Sequence, residues 1–518
     1  MSAAAGGRLG PVRARLWAPL VAVLAVGLAV RVLALASYAT AALWGDSLRF
    51  ARIAPWAPLT GMFDDPWMPA GYPLFLRAIQ QVTRQLWVTV AIQHLIGLCT
   101  ALLLYGLVRR LGAPRGVALV PAAVVALSGD YVYMEHALLN EFLTIAAIVA
   151  GLYLVVRAEG SARQLRWLIG AGAMLGLAAV VRNIALVVLA ATVLWVLLAP
   201  PRPAAFAVRL RGAACLALAA VVVVGGYAAL ATGVGRYAGI SDLRGWFLYG
   251  RAAPFARCAA FSPTGELARL CERTPPDQRS GPFHYVNDTT GPGRRHFDLL
   301  PWACALDRPG RRCNGSDQAK VGAFAREAIL HQPLAYAKAV TKDLARFVDP
   351  DFGARRPWWG SGPLENSFRF RDPGTQRVLA AALRQRYDGV RIQSGAGRTL
   401  LESYQAVFRL DGLLVLVALA CAVAGVTAGR GPGRRGAALL LGAAALLYLA
   451  PVASFSYDYR YGMVPQPLLV AAAALGGWAL AARRREPGAL RDSQRPAAPP
   501  SPTRRQTTAP RTAASPQR

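Results

Sequence analysis

Residues 86–110 read LWVTVAIQHLIGLCTALLLYGLVRR. No Asp, Glu, Lys or Arg interrupts the stretch between Leu86 and Val108, and two arginines, Arg109 and Arg110, close it. An uncharged apolar run of about 18 residues or more is long enough to cross a bilayer as a helix. Basic residues at its end mark the cytoplasmic side. The same pattern recurs along the chain, and spans are predicted at 16–39, 86–108, 116–133, 137–156, 167–181, 184–199, 210–231, 409–428, 436–452 and 461–482. The expected fold class is an all-α polytopic membrane protein of about ten transmembrane helices.

Composition points the same way. The 518 residues are 55% hydrophobic and only 16% charged, where a soluble domain carries about 25% charged residues. A net charge of +31 first suggests nucleic acid, but the placement of the arginines excludes that partner. They gather as Arg8, Arg13 and Arg15; Arg109, Arg110 and Arg115; Arg157, Arg163 and Arg166; Arg202, Arg209 and Arg211; Arg430, Arg434 and Arg435; and Arg483, Arg484 and Arg485. These clusters fall at every second gap between spans, which is the positive-inside pattern.

A domain plan follows. Residues 1–15 form a cytoplasmic N-terminus. Residues 16–231 form an N-terminal transmembrane module with a first outer loop at 40–85. An extracytoplasmic loop domain covers 232–408, C-terminal helices cover 409–482, and 483–518 reads as a disordered cytoplasmic tail. Arg31 interrupts the first apolar run, which is long for a signal-peptide core, so the span is expected to be retained.

Cys99, Cys215 and Cys421 fall in predicted spans, whereas Cys258, Cys271, Cys304 and Cys313 share the long loop. Four cysteines in one exposed loop suit an oxidising compartment. They allow three connectivities, of which Cys258–Cys271 with Cys304–Cys313 joins the closest neighbours. Zinc usually needs a C-x₂₋₄-C spacing, absent here. Later in the loop Ala337, Val340, Leu344 and Phe347 repeat at helical spacing, and Pro333 divides that stretch into two helices.

Acids near span ends carry the chemical interest, because a carboxylate at the lip of an apolar helix is expensive. Asp46 directly follows the first span. Asp64 and Asp65 come later in the same loop, and Glu135 and Glu141 flank the start of the fourth span. Asp64, Asp65 and Glu135 read as solvated interfacial carboxylates, Asp46 and Glu141 as functional ones. His94, His136, His284, His296 and His331 form no metal-ligand spacing. No Gly-rich phosphate loop occurs among the 50 glycines, which disfavours an ATP-driven pump and a nucleotide-sugar enzyme.

Five segments resemble, in order, motifs of the GT-C glycosyltransferases, integral membrane enzymes that use polyprenyl-phosphate sugars and include protein O-mannosyltransferases and aminoarabinose transferases. Gly45-Asp46-Ser47-Leu48-Arg49-Phe50-Ala51-Arg52-Ile53-Ala54 resembles the first-loop motif. Met68-Pro69-Ala70-Gly71-Tyr72-Pro73-Leu74-Phe75 resembles the Pro-Pro-Gly-Tyr-Pro segment. Leu139-Asn140-Glu141-Phe142-Leu143 resembles the acid opening a later span. Val181-Arg182-Asn183 resembles an arginine between two short spans, and Tyr459-Arg460-Tyr461-Gly462-Met463-Val464-Pro465 the stretch opening the last helix. Ser47 stands where many relatives have a second acid, Phe50 where a Tyr is common, and Met68 and Ala70 where His and Pro are frequent.

The resemblance implies a multi-pass enzyme of the cell membrane, a bacterial plasma membrane, moving a sugar from a polyprenyl-phosphate donor to a hydroxyl of an outer-face glycan, lipid or protein. Asp46 would be the general base. Arg182 and Arg460, with Arg244 as a third, would meet the donor phosphate. Glu141 would orient Asp46, bind the sugar or hold a divalent metal. Tyr72, Tyr461, Asp64 and Asp65 complete the candidate set. The alternative is a transporter or lipid flippase, which should carry an internal repeat and broken mid-membrane helices. No repeat is seen.

Overall fold

The computed structural model describes residues 11–51, 59–63, 68–199, 205–234, 237, 239–241, 244–287, 291–297, 317–349, 365–369 and 373–485. Among the described residues the chain is helical throughout, and eight helices are long and apolar enough to cross a membrane: Trp17–Ser37, Leu86–Arg110, Glu141–Ala158, Gln164–Val181, Phe206–Val234, Arg398–Ala428, Gly431–Ser454 and Tyr459–Arg483. A bent pair, Arg115–Leu127 and Gly129–His136, passes the same test only when its two helices are taken together, and they meet at 48°. The short apolar helix Leu186–Leu198 follows a turn at Asn183–Ala185.

Two predicted spans therefore take a different form. The run 116–133 is not one straight span, and the next helix starts at Glu141 rather than residue 137. Ser128 is extended between the two broken halves, and the Gly129 amide donates to the Phe408 carbonyl at 2.7 Å. The break is thus satisfied by backbone from far along the chain. A Cβ on Gly129 would lie 2.5 Å from Gln405 Cα, so only glycine admits this approach.

The bundle core gathers residues from most spans, from Leu20 and Leu104 to Leu440 and Leu475. Close helix pairs use glycine to bring backbones together, as expected where lipid removes the hydrophobic drive between helices. A Cβ on Gly172 would meet the Leu216 carbonyl at 2.1 Å, where Gln164–Val181 crosses Phe206–Val234. Exposed Val221, Val222, Leu413 and Leu416 form the outer apolar surface that a bilayer covers.

The long loop packs in two places. Described residues of 244–297 and 317–349 build a core around Trp246, Tyr249, Phe324 and Ala328, with Cys258 and Cys271, joined by a disulfide, packed against it. The pair Cys304 and Cys313 lies outside the described residues. The predicted division at Pro333 appears as helices Gln318–His331 and Pro333–Ala345. Residues 365–407 instead pack on the loop after the first span: Thr40 N donates to Arg391 O at 3.0 Å, and Gln376 Nε2 to Leu43 O at 2.7 Å.

Candidate active site

The loop after the first span is set by backbone pairing. Ala42 N donates to His136 O at 3.0 Å, and Leu138 N to Ala42 O at 3.2 Å. A short helix, Gly45–Phe50, then begins, with Ser47 at its hinge. Ser47 Oγ accepts from Trp44 N at 2.9 Å and donates to Leu138 O at 3.0 Å. The serine that replaces a second acid is buried and spent on holding the turn, which leaves Asp46 as the acid the loop presents.

Three other elements bring charge to the same end of the bundle. Glu141 opens the helix Glu141–Ala158 and is 1% exposed. Arg182 follows the helix Gln164–Val181 as its C-cap, in extended conformation. Arg460 stands in the helix Tyr459–Met463, whose N-cap, Asp458, accepts from Arg460 N at 3.0 Å.

These groups meet. Arg182 Nη1 lies 2.6 Å from Glu141 Oε1 and donates to Asn140 Oδ1 at 3.2 Å. Arg460 Nη1 lies 3.2 Å from Asp46 Oδ2 and 3.7 Å from Glu141 Oε1, while its Nε faces Asp458 Oδ1 at 3.5 Å. The Arg182 guanidinium covers the Tyr461 ring at 4.9 Å, and that of Arg460 the Trp44 ring at the same distance. Glu141 Oε2 is buried with no hydrogen-bond partner among the described residues.

Asp46, Glu141, Arg182, Arg460 and Tyr461 line one cavity of about 270 Å³. Its remaining wall is largely apolar, with Phe247, Leu248, Leu447, Pro451, Phe455 and Val464. A polar corner of two guanidinium and two carboxylate groups thus faces a greasy surface. Burial of that corner strengthens the electrostatics between its groups.

Other candidates fall elsewhere. Tyr72 is fully buried and does not line the cavity; its hydroxyl donates to Gln93 Oε1 at 2.6 Å. Burial, the main cause, pushes its phenol well above the ordinary value, so it stays neutral. Arg244 begins the helix that carries Phe247 and Leu248. Asp64 and Asp65 lie outside the described residues. Among the described residues no group of three or more His, Cys, Asp and Glu side chains gathers to hold a metal.

Glu135 corrects the sequence reading. It is not solvated but 2% exposed, and Arg31 Nε and Nη2 each donate to its carboxylate at 2.7 Å. His94 and His136, which share no ligand spacing, are in contact beside it. Trp44, Asn140 and Asp458 are the site residues that the sequence reading left without a role. Only Asp458 had a signal, an acid two residues before the Arg460 motif.

Residues 68–227 match the sequence family described as dolichyl-phosphate-mannose-protein mannosyltransferase. The match supports a GT-C membrane glycosyltransferase. Glu141 and Arg182 fall inside the matched residues, Asp46 and Arg460 outside them. A comparison with the curated proteins finds no match. Among solved structures the chain is similar to the Archaeoglobus fulgidus oligosaccharyltransferase AglB in complex with an inhibitory peptide and a dolichol-phosphate, at 14% identity and TM-score 0.40, over 93% of this chain and 52% of that one. The apo form of the Archaeoglobus fulgidus enzyme gives 13% identity and TM-score 0.41, over 92% and 52%. The chain spans about half the length of these structures.

Proposed function

We propose that this GT-C glycosyltransferase moves a sugar from a polyprenyl-phosphate donor to an acceptor hydroxyl at the outer face of the cell membrane, with Asp46 as general base. The observation that carries the reading is the single cavity in which Asp46, Glu141, Arg182 and Arg460 face an apolar wall. The lipid phosphate meets Arg182 and Arg460, and the polyprenyl chain lies along Phe247, Leu447 and Phe455. The acceptor hydroxyl gives its proton to Asp46 as its oxygen attacks the anomeric carbon. The sugar–phosphate bond breaks, and its electron pair leaves on the lipid phosphate. A phosphate needs no strong acid to leave, only cationic partners. Glu141 holds Arg182 in place, and its unpartnered oxygen is free for a sugar hydroxyl.

The bent pair at Ser128 is the one feature that the transporter alternative would claim. Its residues do not line the cavity, and its break is closed by Phe408 backbone rather than opened to a path. The enzyme reading is therefore kept.

The test is donor use in purified variants. Arg182→Ala and Arg460→Ala each remove a charge-assisted contact, which is worth roughly 1.5–3 kcal/mol, so the donor KM should rise about 10- to 100-fold. Arg110→Ala, at the other end of the bundle, should leave donor KM unchanged. Equal effects from all three variants would refute the phosphate assignment.

A further inference from the structure

Outside the cavity, four ionisable side chains form a continuous buried chain. Arg31, in the first span, donates from Nε and Nη2 to Glu135 at 2.7 Å. It also donates from Nη1 to Gly27 O at 2.9 Å and Ala126 O at 2.6 Å, and from Nη2 to Val125 O at 3.4 Å. Glu135 Oε2 lies 2.9 Å from His94 Nδ1, His94 Nε2 lies 3.2 Å from His136 Nδ1, and His136 Nε2 lies 2.8 Å from the Ala39 carbonyl. Each of the four side chains is no more than 3% exposed. Space is reserved for the carboxylate: a Cβ on Gly97 would fall 1.9 Å from Glu135 Oε1. Ionisable groups at such depth are costly to keep.

The chain ends on the backbone that presents Asp46. Ala39 begins the loop after the first span. The His136 carbonyl holds Ala42 N, and the Leu138 carbonyl holds Ser47 Oγ, next to Asp46.

The contacts also fix a proton count. A carbonyl only accepts, so His136 Nε2 carries hydrogen, and Nδ1 of neutral His136 must then accept. His94 Nε2 therefore carries hydrogen, and Nδ1 of neutral His94 is a lone pair. It faces Glu135 Oε2, which as a carboxylate also only accepts. All contacts close only when one more proton sits between His94 and Glu135. The groups facing this pair are Arg31 on the first span, Tyr38 beside the His136 ring, Gln93 on the helix of His94, and Tyr404 near Arg31 from the returning segment.

We propose that Arg31, Glu135, His94 and His136 are positioning residues, a hydrogen-bonded chain that holds the loop of Asp46 against the bundle and closes fully only with that extra proton bound. The inference rests on the reading of Asp46 as base, but its test does not. Because the closed chain binds a proton that the open one releases, loop order is present at low pH and lost as pH rises.

Hydrogen exchange of the peptide 39–51 reads this in the purified protein in lipid nanodiscs, over a pH series that begins well on the acid side of the ordinary histidine range. After correction for intrinsic exchange, wild-type protection should fall as pH rises. Glu135→Gln sets an amide N–H against an Arg31 donor in either orientation, because Oε2 meets both Arg31 Nε and His94 Nδ1 while Oε1 meets Arg31 Nη2, so it opens the chain and removes the proton site, and its protection should be low and flat with pH. His136→Leu cuts the chain, and the peptide should exchange about tenfold faster or more at every pH. Wild-type pH dependence retained in Glu135→Gln, or unchanged loop exchange in His136→Leu, would overturn the proposal. Wild-type transfer activity in Asp46→Asn would instead count against the assignment of the base, and would leave the exchange result standing.

Discussion

Asp46 and Glu141 carry the same charge at one cavity, yet their neighbours give them different standing. Asp46 is one of three carboxylates around Arg460, the others being Glu141 at 3.7 Å and Asp458 at 3.5 Å. Removing its charge leaves Arg460 still compensated. Asp46→Asn should therefore fold with a melting temperature near wild type while transfer falls by about 10²–10⁴-fold, the usual cost of a lost base. Glu141 is the only carboxylate within ion-pair distance of Arg182 among the described residues. Glu141→Ala leaves that guanidinium without its acid, a loss worth about 3–5 kcal/mol when the pair is buried. Thermal melting in detergent separates the two: a large drop in Asp46→Asn, or none in Glu141→Ala, would contradict these roles. The sequence makes both acids visible because acids are scarce at span ends. It hides the setting of Glu135, because the partner Arg31 lies 104 residues away and hydropathy does not pair side chains across spans. Trp44 and Asn140 are hidden for a related reason, since they act by contact with a charged neighbour rather than by their own charge.

At the scale of elements, glycine decides where helices meet. Gly172 lies against the Leu216 carbonyl with no room for a Cβ. The helix it belongs to ends at Arg182, so any displacement there moves a guanidinium of the cavity. Gly172→Leu should force Gln164–Val181 away from Phe206–Val234, at a cost of about 1–3 kcal/mol for overpacking. Gly170→Leu, two residues away with only Leu154 within 4 Å, is the matched control. A melting curve that treats the two alike would count against this packing argument. Helix identity was legible throughout, because long apolar runs bounded by arginines admit little else. The break at Ser128 was not. The residues from 116 to 127 are uninterrupted and apolar, and what ends the helix is the Phe408 carbonyl taking up the Gly129 amide. A contact between residues so far apart leaves no local pattern.

At the scale of the whole molecule the charges separate by end. Arg435 pairs with Glu159 at 2.6 Å and Arg110 donates to Tyr153 at 3.3 Å. These groups stand at the termini of the helices Gly431–Ser454, Glu141–Ala158 and Leu86–Arg110 opposite to the cavity. The alternating arginine clusters and the paired end thus agree on which loops share a side. The proposed function adds the sidedness: under the positive-inside rule the arginine-rich termini would face the cytoplasm, and the cavity with Asp46, Glu141, Arg182 and Arg460 would face out. A donor with a nucleotide would be supplied on the cytoplasmic side, where the cavity beside Arg163, Arg166 and Arg211 is lined by no acid. Under the proposed function a lipid-phosphate sugar would instead reach the outer lip through the bilayer, with its phosphate at the arginines. Right-side-out vesicles given a polyprenyl-phosphate sugar should therefore glycosylate an added outer acceptor without any nucleotide, and cysteine labelling should find position 262 outside and position 433 inside. Transfer that ignores the lipid donor and depends on a nucleotide sugar at the cytoplasmic face would refute the reading, and labelling of position 433 from outside would invert the topology on which it stands.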